Sequence, residues 1–275
     1  MANYVLAVSG GIDSVVLLDM FDWPADTIVA HFNHGIRPSA DADCAFVKRL
    51  SRRYGFEFVS EKAALGQNCS ENLARQRRYD FLRRIAKAHQ AEIVTAHHAD
   101  DCIESIAINC LRGTGWRGLA PLDNPEIFRP MLALHKADIY RYAAEHRLSF
   151  RLDQTNNEEQ YLRNRLRRIL QPVSPFDKAQ LLQYYHRQLA LKAEIDQLMQ
   201  GILGTRNYIP RKLLLESGDA GAELLRFFLR TRGCLLTRPQ ANRCLREIKN
   251  FTPGKKYSLD KTHFLEARRQ AFHLC

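Results

Sequence analysis

YVLAVSGGIDSVVLLDM, residues 4–20, decides how this chain folds. A five-residue apolar run, rich in β-formers, enters SGGIDS without a polar spacer, and VVLLDM continues at helical spacing. A strand that is apolar at nearly every position is buried on both faces, as in a parallel sheet covered by helices. The Gly10-Gly11 pair then lets the backbone turn sharply enough for a helix to start over the strand end. Backbone N–H groups converge there on the positive end of the helix, which makes a cradle for phosphate. Ser9 and Ser14 bring hydroxyl donors, and the candidate anion-binding set is Ser9, Gly10, Gly11, Ile12, Asp13 and Ser14. Asp13 is out of place beside an anion unless a Mg²⁺ lies between its carboxylate and the phosphate. The loop lacks the G-K-[ST] of a Walker P-loop and the G-x-G-x-x-G of a dinucleotide fold.

The pattern repeats outward from this unit. Runs at 27–32, 56–59 and 92–96 read as further buried strands, alternating with helical periods at 15–20, 41–54, 70–89 and 100–111. Strands and helices alternating at this interval predict α/β architecture with a parallel sheet. Ser70 is the expected N-cap of the third helix, with Glu71 in its first turn. Beyond an irregular stretch at 121–130, helices are expected at 136–147 and 161–170, a turn at 171–175, and one long helix over 178–203. Punctuation by Gly201 and Gly204 divides the chain into a 1–203 domain, linker helix included, and a small, mainly helical domain at 204–275. In that tail, helices are expected at 222–232 and 239–250, and runs at 255–259 and 271–274 that pair as a short ribbon.

Charge follows the same division. The 275 residues carry a formal net charge of +11, but residues 1–150 hold 18 basic and 18 acidic side chains, whereas residues 201–275 hold 15 and 6. A neutral body with a basic tail suggests that chemistry and polyanion binding are separate tasks. Arg226, Arg230, Arg232, Arg238, Arg243, Arg246, Lys249, Lys255 and Lys256 form the expected basic patch, suited to RNA phosphates. The seven cysteines form no C-x-x-C pair, which argues against a zinc ribbon or a disulfide framework. No apolar run reaches the roughly 20 residues that span a bilayer, and the start MANYVLAVSGG has no basic n-region. An unprocessed cytoplasmic protein without a membrane segment is expected.

Other candidate residues follow from spacing. Asp101 and Glu104, three apart at a helix start, project to one face beyond the fourth strand, at the sheet edge that also carries the SGGIDS loop. Two carboxylates there suit an ammonium or a metal. Arg75 with Arg78, and Arg163 with Arg167, each place two guanidiniums on one helix face, a geometry matched to phosphate. Arg112 with residues 113–115 reads as a second backbone-donor turn beside the same cleft. His31, His34, His97 and His98 are read as structural or nucleotide-packing groups rather than metal ligands.

SGGIDS resembles the loop of the N-type ATP pyrophosphatases, the PP-loop superfamily, which split ATP into AMP and pyrophosphate while adenylating an acceptor. Within it, HFNHGIRPSADAD (31–43), ENLARQRRYDF (71–81), TAHHADDCIES (95–105), LRGTGWRGL (111–119) and DQTNNEEQYLRNRLR (153–167) resemble, in order, the blocks of the tRNA(Ile)-lysidine synthetases. The resemblance implies a Rossmann-like PP-loop ATPase domain and a ligase forming a carbon–nitrogen bond. Its substrates would be ATP with Mg²⁺, free L-lysine, and a tRNA(Ile) with a CAU anticodon. The wobble cytidine would attack the α-phosphate, and the lysine ε-amine would then displace AMP to give lysidine. By the same resemblance Asp13, Asp101, Arg75 and Arg78 are catalytic, with Asp13 on Mg²⁺. Asp101 and Glu104 would bind lysine, with Arg112, Arg163 and Arg167 on tRNA or phosphate. The chain would be a short form without the family's second C-terminal domain, and a homodimer stays open. Alternatives are another PP-loop adenylating enzyme, such as a tRNA thiolase or an amidotransferase, and a non-catalytic RNA-binding relative.

Overall fold

The computed structural model describes residues 3–35, 40–63, 71–151, 162–249 and 252–275. The Ser70 cap, residues 36–39 and residues 153–161 of the closing block lie outside the described residues. Two compact units emerge, one of residues 1–113 and 118–185, the other of 114–117 and 186–275.

In the first unit, β1 (Asn3–Ala7), β2 (Ile28–Asn33), β3 (Glu57–Lys62), β4 (Ala91–Val94) and β5 (Ile127–Phe128) form a sheet of order β3-β2-β1-β4-β5. Every pairing is parallel. The helices are α1 (Ile12–Met20), α2 (Ala40–Tyr54), α3 (Glu71–His89), α4 (Ala99–Leu111), α5 (Lys136–Glu145), α6 (Leu162–Leu170) and the start of α7 (Pro175–Leu203). Alternation of side chains along the strands sorts the core into two layers. Leu6, Val29 and Val94 pack with Val16 and Leu17 of α1, Val47 of α2 and Ile139 of α5. The intervening Val5, Ile28, Ala30 and Ile93 pack with Tyr79, Phe81 and Leu82 of α3 on the other face. Both faces are thus dry, which explains the unbroken apolar strands. The strand order reverses at β1, so the chain leaves β1 and β4 in opposite directions. A crevice opens there at the carboxyl ends of the strands.

The second unit packs the rest of α7, α8 (Arg211–Glu216), α9 (Gly221–Arg230) and α10 (Arg238–Lys249) with a sheet of order β6-β9-β8-β7. Its strands are β6 (Tyr208–Pro210), β7 (Lys256–Ser258), β8 (Phe264–Ala267) and β9 (Ala271–Leu274). Leu225, Phe228 and Leu229 of α9 meet Ile209, Leu265 and Phe272 of the sheet in a single core. One expectation changes. The β7 and β9 segments do not pair with each other, because β8 lies between them and pairs antiparallel with both. β8 reads FLEA, and its Glu and Ala are weak strand formers.

Candidate active site

The SGGIDS loop closes on itself through one side chain. Ser14, buried, donates its hydroxyl to the Gly11 carbonyl (2.9 Å) and accepts the N–H groups of Ser9 (3.2 Å) and Gly10 (3.1 Å). It is therefore the organiser of the loop, whereas Ser9 is exposed on the cleft side. Gly10 has φ +91°, and a Cβ there would sit 3.2 Å from Val47 and 3.3 Å from Phe46. Gly11 caps α1 without any side-chain hydrogen bond to the first turn, leaving the helix N-terminus to a ligand.

This loop forms one wall of a cleft of about 390 Å³ at the β1–β4 crevice. Ser9, Gly11, Asp13 and Ser14 line it together with His31, His34, Asp43, Arg75, Arg78, His97, Asp101, Arg151 and Arg163. Four arginines thus face three aspartates in one recess of ligand size. Arg75 and Arg78 flank Tyr79, their guanidiniums 5.2 and 5.4 Å from its ring centre. Burial and the surrounding arginines drive the His97 pKa well below that of a free imidazole, so its ring is neutral at pH 7. Burial likewise lowers His31, whose Nδ1 lies 2.9 Å from the Val8 carbonyl. No group of the described residues gathers these histidines into a metal site.

Asp101 and Glu104 do share a face, and α6 covers it. Arg167 Nε donates to Glu104 Oε1 at 2.7 Å, and its Nη2 lies 3.6 Å from Asp101 Oδ1. Arg163 Nε is 3.6 Å from Glu104 Oε2. Two pairs read separately from the sequence, one acidic and one basic, therefore answer each other. Asp101 and Arg163 reach the cleft, while Glu104 is buried behind them, 5% exposed, and burial raises its pKa against the pull of Arg167. The turn at 112–115, expected beside the cleft, does not line it. Arg112 is exposed, and residues 114–117 belong to the second unit, where Arg117 binds Asp196 and Glu223 at 2.8 Å each.

Sequence reasoning passed over several basic groups. Lys136, at the start of α5, sets its ammonium on the Asp13 carboxylate. The Lys136 backbone N–H donates to Asp100 (2.8 Å), whose other oxygen takes Lys178 of α7 (2.9 Å). These hydrogen bonds hold the Asp100 pKa down even though burial pushes it up. Arg151 binds Asp43 (2.9 Å) and donates its backbone N–H to the Gly10 carbonyl (2.8 Å). Lone lysines and arginines at helix starts or in irregular chain carry no periodic signal.

Comparison with known proteins agrees with this geometry. A family model described as a PP-loop domain matches residues 1–174. The bifunctional protein TilS/HprT of Listeria monocytogenes is 32% identical over 243 residues, 82% of this chain and 37% of the relative. The tRNA(Ile)-lysidine synthase of Geobacter sulfurreducens is 38% identical over 184 residues, 61% of this chain and 39% of that protein. The Vibrio cholerae tRNA(Ile)-lysidine synthase is 34% identical over 216 residues, covering 72% and 48%. The chain spans less than half the length of these curated relatives. Among solved structures, the U34-tRNA thiolase NcsA of Methanococcus maripaludis superposes with a TM-score of 0.57 at 18% identity, over 69% of this chain and 72% of that one, a likeness of fold. With its glycine loop at the end of β1, its uncapped α1 and its cleft at the strand-order reversal, this chain belongs to the PP-loop family.

Proposed function

We propose that the chain is a tRNA(Ile)-lysidine synthase, which uses ATP to join lysine to the wobble cytidine of a CAU-anticodon tRNA(Ile). One observation carries this reading. The phosphate loop, the Arg75/Arg78 pair and the Asp101 carboxylate line a single cleft, which supports a reading in which ATP, a nucleotide base and an ammonium bind side by side. The names of the relatives support the same reading.

Each residue then has a task. Amides at the α1 N-terminus hold the phosphates and stabilise charge on the departing pyrophosphate. Asp13 suits Mg²⁺, being an oxygen donor beside the loop whose carboxylate already accepts a cation, the Lys136 ammonium. When bound, Mg²⁺ neutralises phosphate charge. Arg75 and Arg78 clamp the α-phosphate or the target nucleotide, and neutral His97 packs against a base without adding charge. Asp101 takes the lysine ammonium and accepts the proton the amine must lose before it attacks. Glu104 sets the field behind it, and Arg163 and Arg167 release these carboxylates in exchange for substrate.

The test supplies purified protein with CAU-anticodon tRNA(Ile), ATP and labelled lysine. Label entering the tRNA one-for-one with AMP is expected. AMP release driven by sulfide or ammonia, with no lysine label, would overturn the reading in favour of another PP-loop adenylating enzyme.

A further inference from the structure

Away from the cleft, in the second unit, Cys234, Asp260 and His263 bring a sulfur, an oxygen and a nitrogen within 4.8 Å of one another. Cys234 follows α9 and is fully buried. Asp260 and His263 lie in the turn from β7 to β8, with side chains 40% and 30% exposed. Cys234 Sγ is 3.7 Å from Asp260 Oδ2, and His263 Nδ1 is 2.8 Å from the same oxygen. Tetrahedral zinc, with bonds of about 2.3 Å to sulfur and about 2.0 Å to nitrogen and oxygen, sets S···O edges near ~3.5 Å and N···O edges near ~3.3 Å. The S···O separation is about 0.2 Å longer than its edge and the N···O separation about 0.5 Å shorter.

The carboxylate is also aimed. Asp260 Oδ1 accepts the backbone N–H groups of Thr262 (2.8 Å) and His263 (2.8 Å) and the Thr262 hydroxyl (3.0 Å), which fixes the carboxylate with Oδ2 toward the thiol and with the imidazole Nδ1 close to both oxygens, 3.0 Å from Oδ1. Outer hydrogen bonds of this kind orient metal-ligating groups. The thiol and the imidazole meet the same carboxylate oxygen, and their ligand atoms lie within 4.8 Å of each other. The geometry points to a zinc site formed by Cys234 Sγ, Asp260 Oδ2 and His263 Nδ1, with its fourth position open to water on the exposed side. Zinc replaces the thiol proton, which leaves to solvent, and takes the lone pair of a neutral imidazole. Borderline-soft sulfur and nitrogen beside one oxygen favour zinc over magnesium or calcium. The bound ion would fasten the segment after α9 to the β7–β8 turn, 26 residues further along the chain.

The experiment treats the full-length chain with chelator, removes the chelator, and titrates zinc by equilibrium dialysis. Cobalt serves as the spectroscopic probe of thiolate ligation. One zinc per chain, a thiolate-to-cobalt charge-transfer band, and a rise in Tm on zinc addition are expected. Cys234→Ser and His263→Ala should each weaken binding at least tenfold and abolish the Tm rise, whereas Cys244→Ser should keep both. The His263 side chain is exposed enough for its variant to fold if Cys234→Ser does not. Zinc bound equally by wild type and His263→Ala, or no binding and no cobalt–thiolate band in the wild type, would overturn the site.

Discussion

Gly10 shows how far a single position constrains the phosphate loop. Its φ of +91° excludes ordinary side chains, and Val47 and Phe46 crowd the place of a Cβ. Gly10→Ala should cost about 1–3 kcal/mol of stability, read as a lower urea midpoint. Gly11→Ala, whose Cβ would meet only the Ser9 hydroxyl at 3.5 Å, should fold with near-native stability. The glycine pair, Asp13 and the paired arginines were legible in the sequence because each belongs to a local pattern with a chemical reason. Lys136 on Asp13 was not, since 123 residues separate them and only tertiary packing joins them. His97 couples stability to pH. Its folded pKa lies below the unfolded value near ~6.5, so the unfolded chain binds the extra proton, and stability falls as pH drops through that value. The loss approaches about 1.4 kcal/mol per pH unit for this residue. Urea midpoints at pH 7.5 and 5.5 should therefore diverge in the wild type, and converge by that share in His97→Gln. An unchanged pH slope in His97→Gln would show that the His97 imidazole does not set this pH dependence.

The pairing of elements supplies what spacing alone leaves out. The sequence places Asp101 and Glu104 on one face of α4 and Arg163 and Arg167 on one face of α6, correctly in both cases. It offers no means of knowing that the two faces meet, because helix pairing across some 60 residues leaves no trace in local periodicity. A double-mutant cycle of Glu104→Gln and Arg167→Gln should give a favourable coupling of about 1–2 kcal/mol, moderated because Arg167 is 40% exposed. If Glu104 also supports lysine binding, Glu104→Gln raises the lysine KM while adenylation persists. A lysine KM equal to wild type would confine Glu104 to holding α6. The strands divide similarly. β1, β2 and β4 are apolar enough to read directly, whereas two-residue β5 and the FLEA of β8 are too short or too polar to stand out.

The net charge of +11 resolves into two different things. Arginines of the first unit meet acids within it, as Arg151 meets Asp43 and Arg167 meets Glu104. In the second unit the structure thins the expected patch. Arg226 and Arg230 are engaged by Glu223 and Asp196, and Arg232 lies over Phe228 at 4.0 Å and donates to its carbonyl. Arg246, Lys255 and Lys256 are exposed, and they are the better candidates for tRNA phosphates. Reversing these three should weaken tRNA binding and reduce its salt slope by roughly 0.7–0.9 for each phosphate that is no longer neutralised. We propose that the cleft of the first unit performs the chemistry while the basic second unit holds the tRNA. The most direct test is the dependence of AMP formation on tRNA concentration, with tRNA affinity measured alongside, for Asp13→Ala and for the triple variant R246E/K255E/K256E. Asp13→Ala should lose AMP formation while binding tRNA as wild type does, and the triple variant should show a raised KM for tRNA with kcat intact. Loss of tRNA binding in Asp13→Ala, or a fallen kcat at unchanged KM in the triple variant, would contradict that division of tasks.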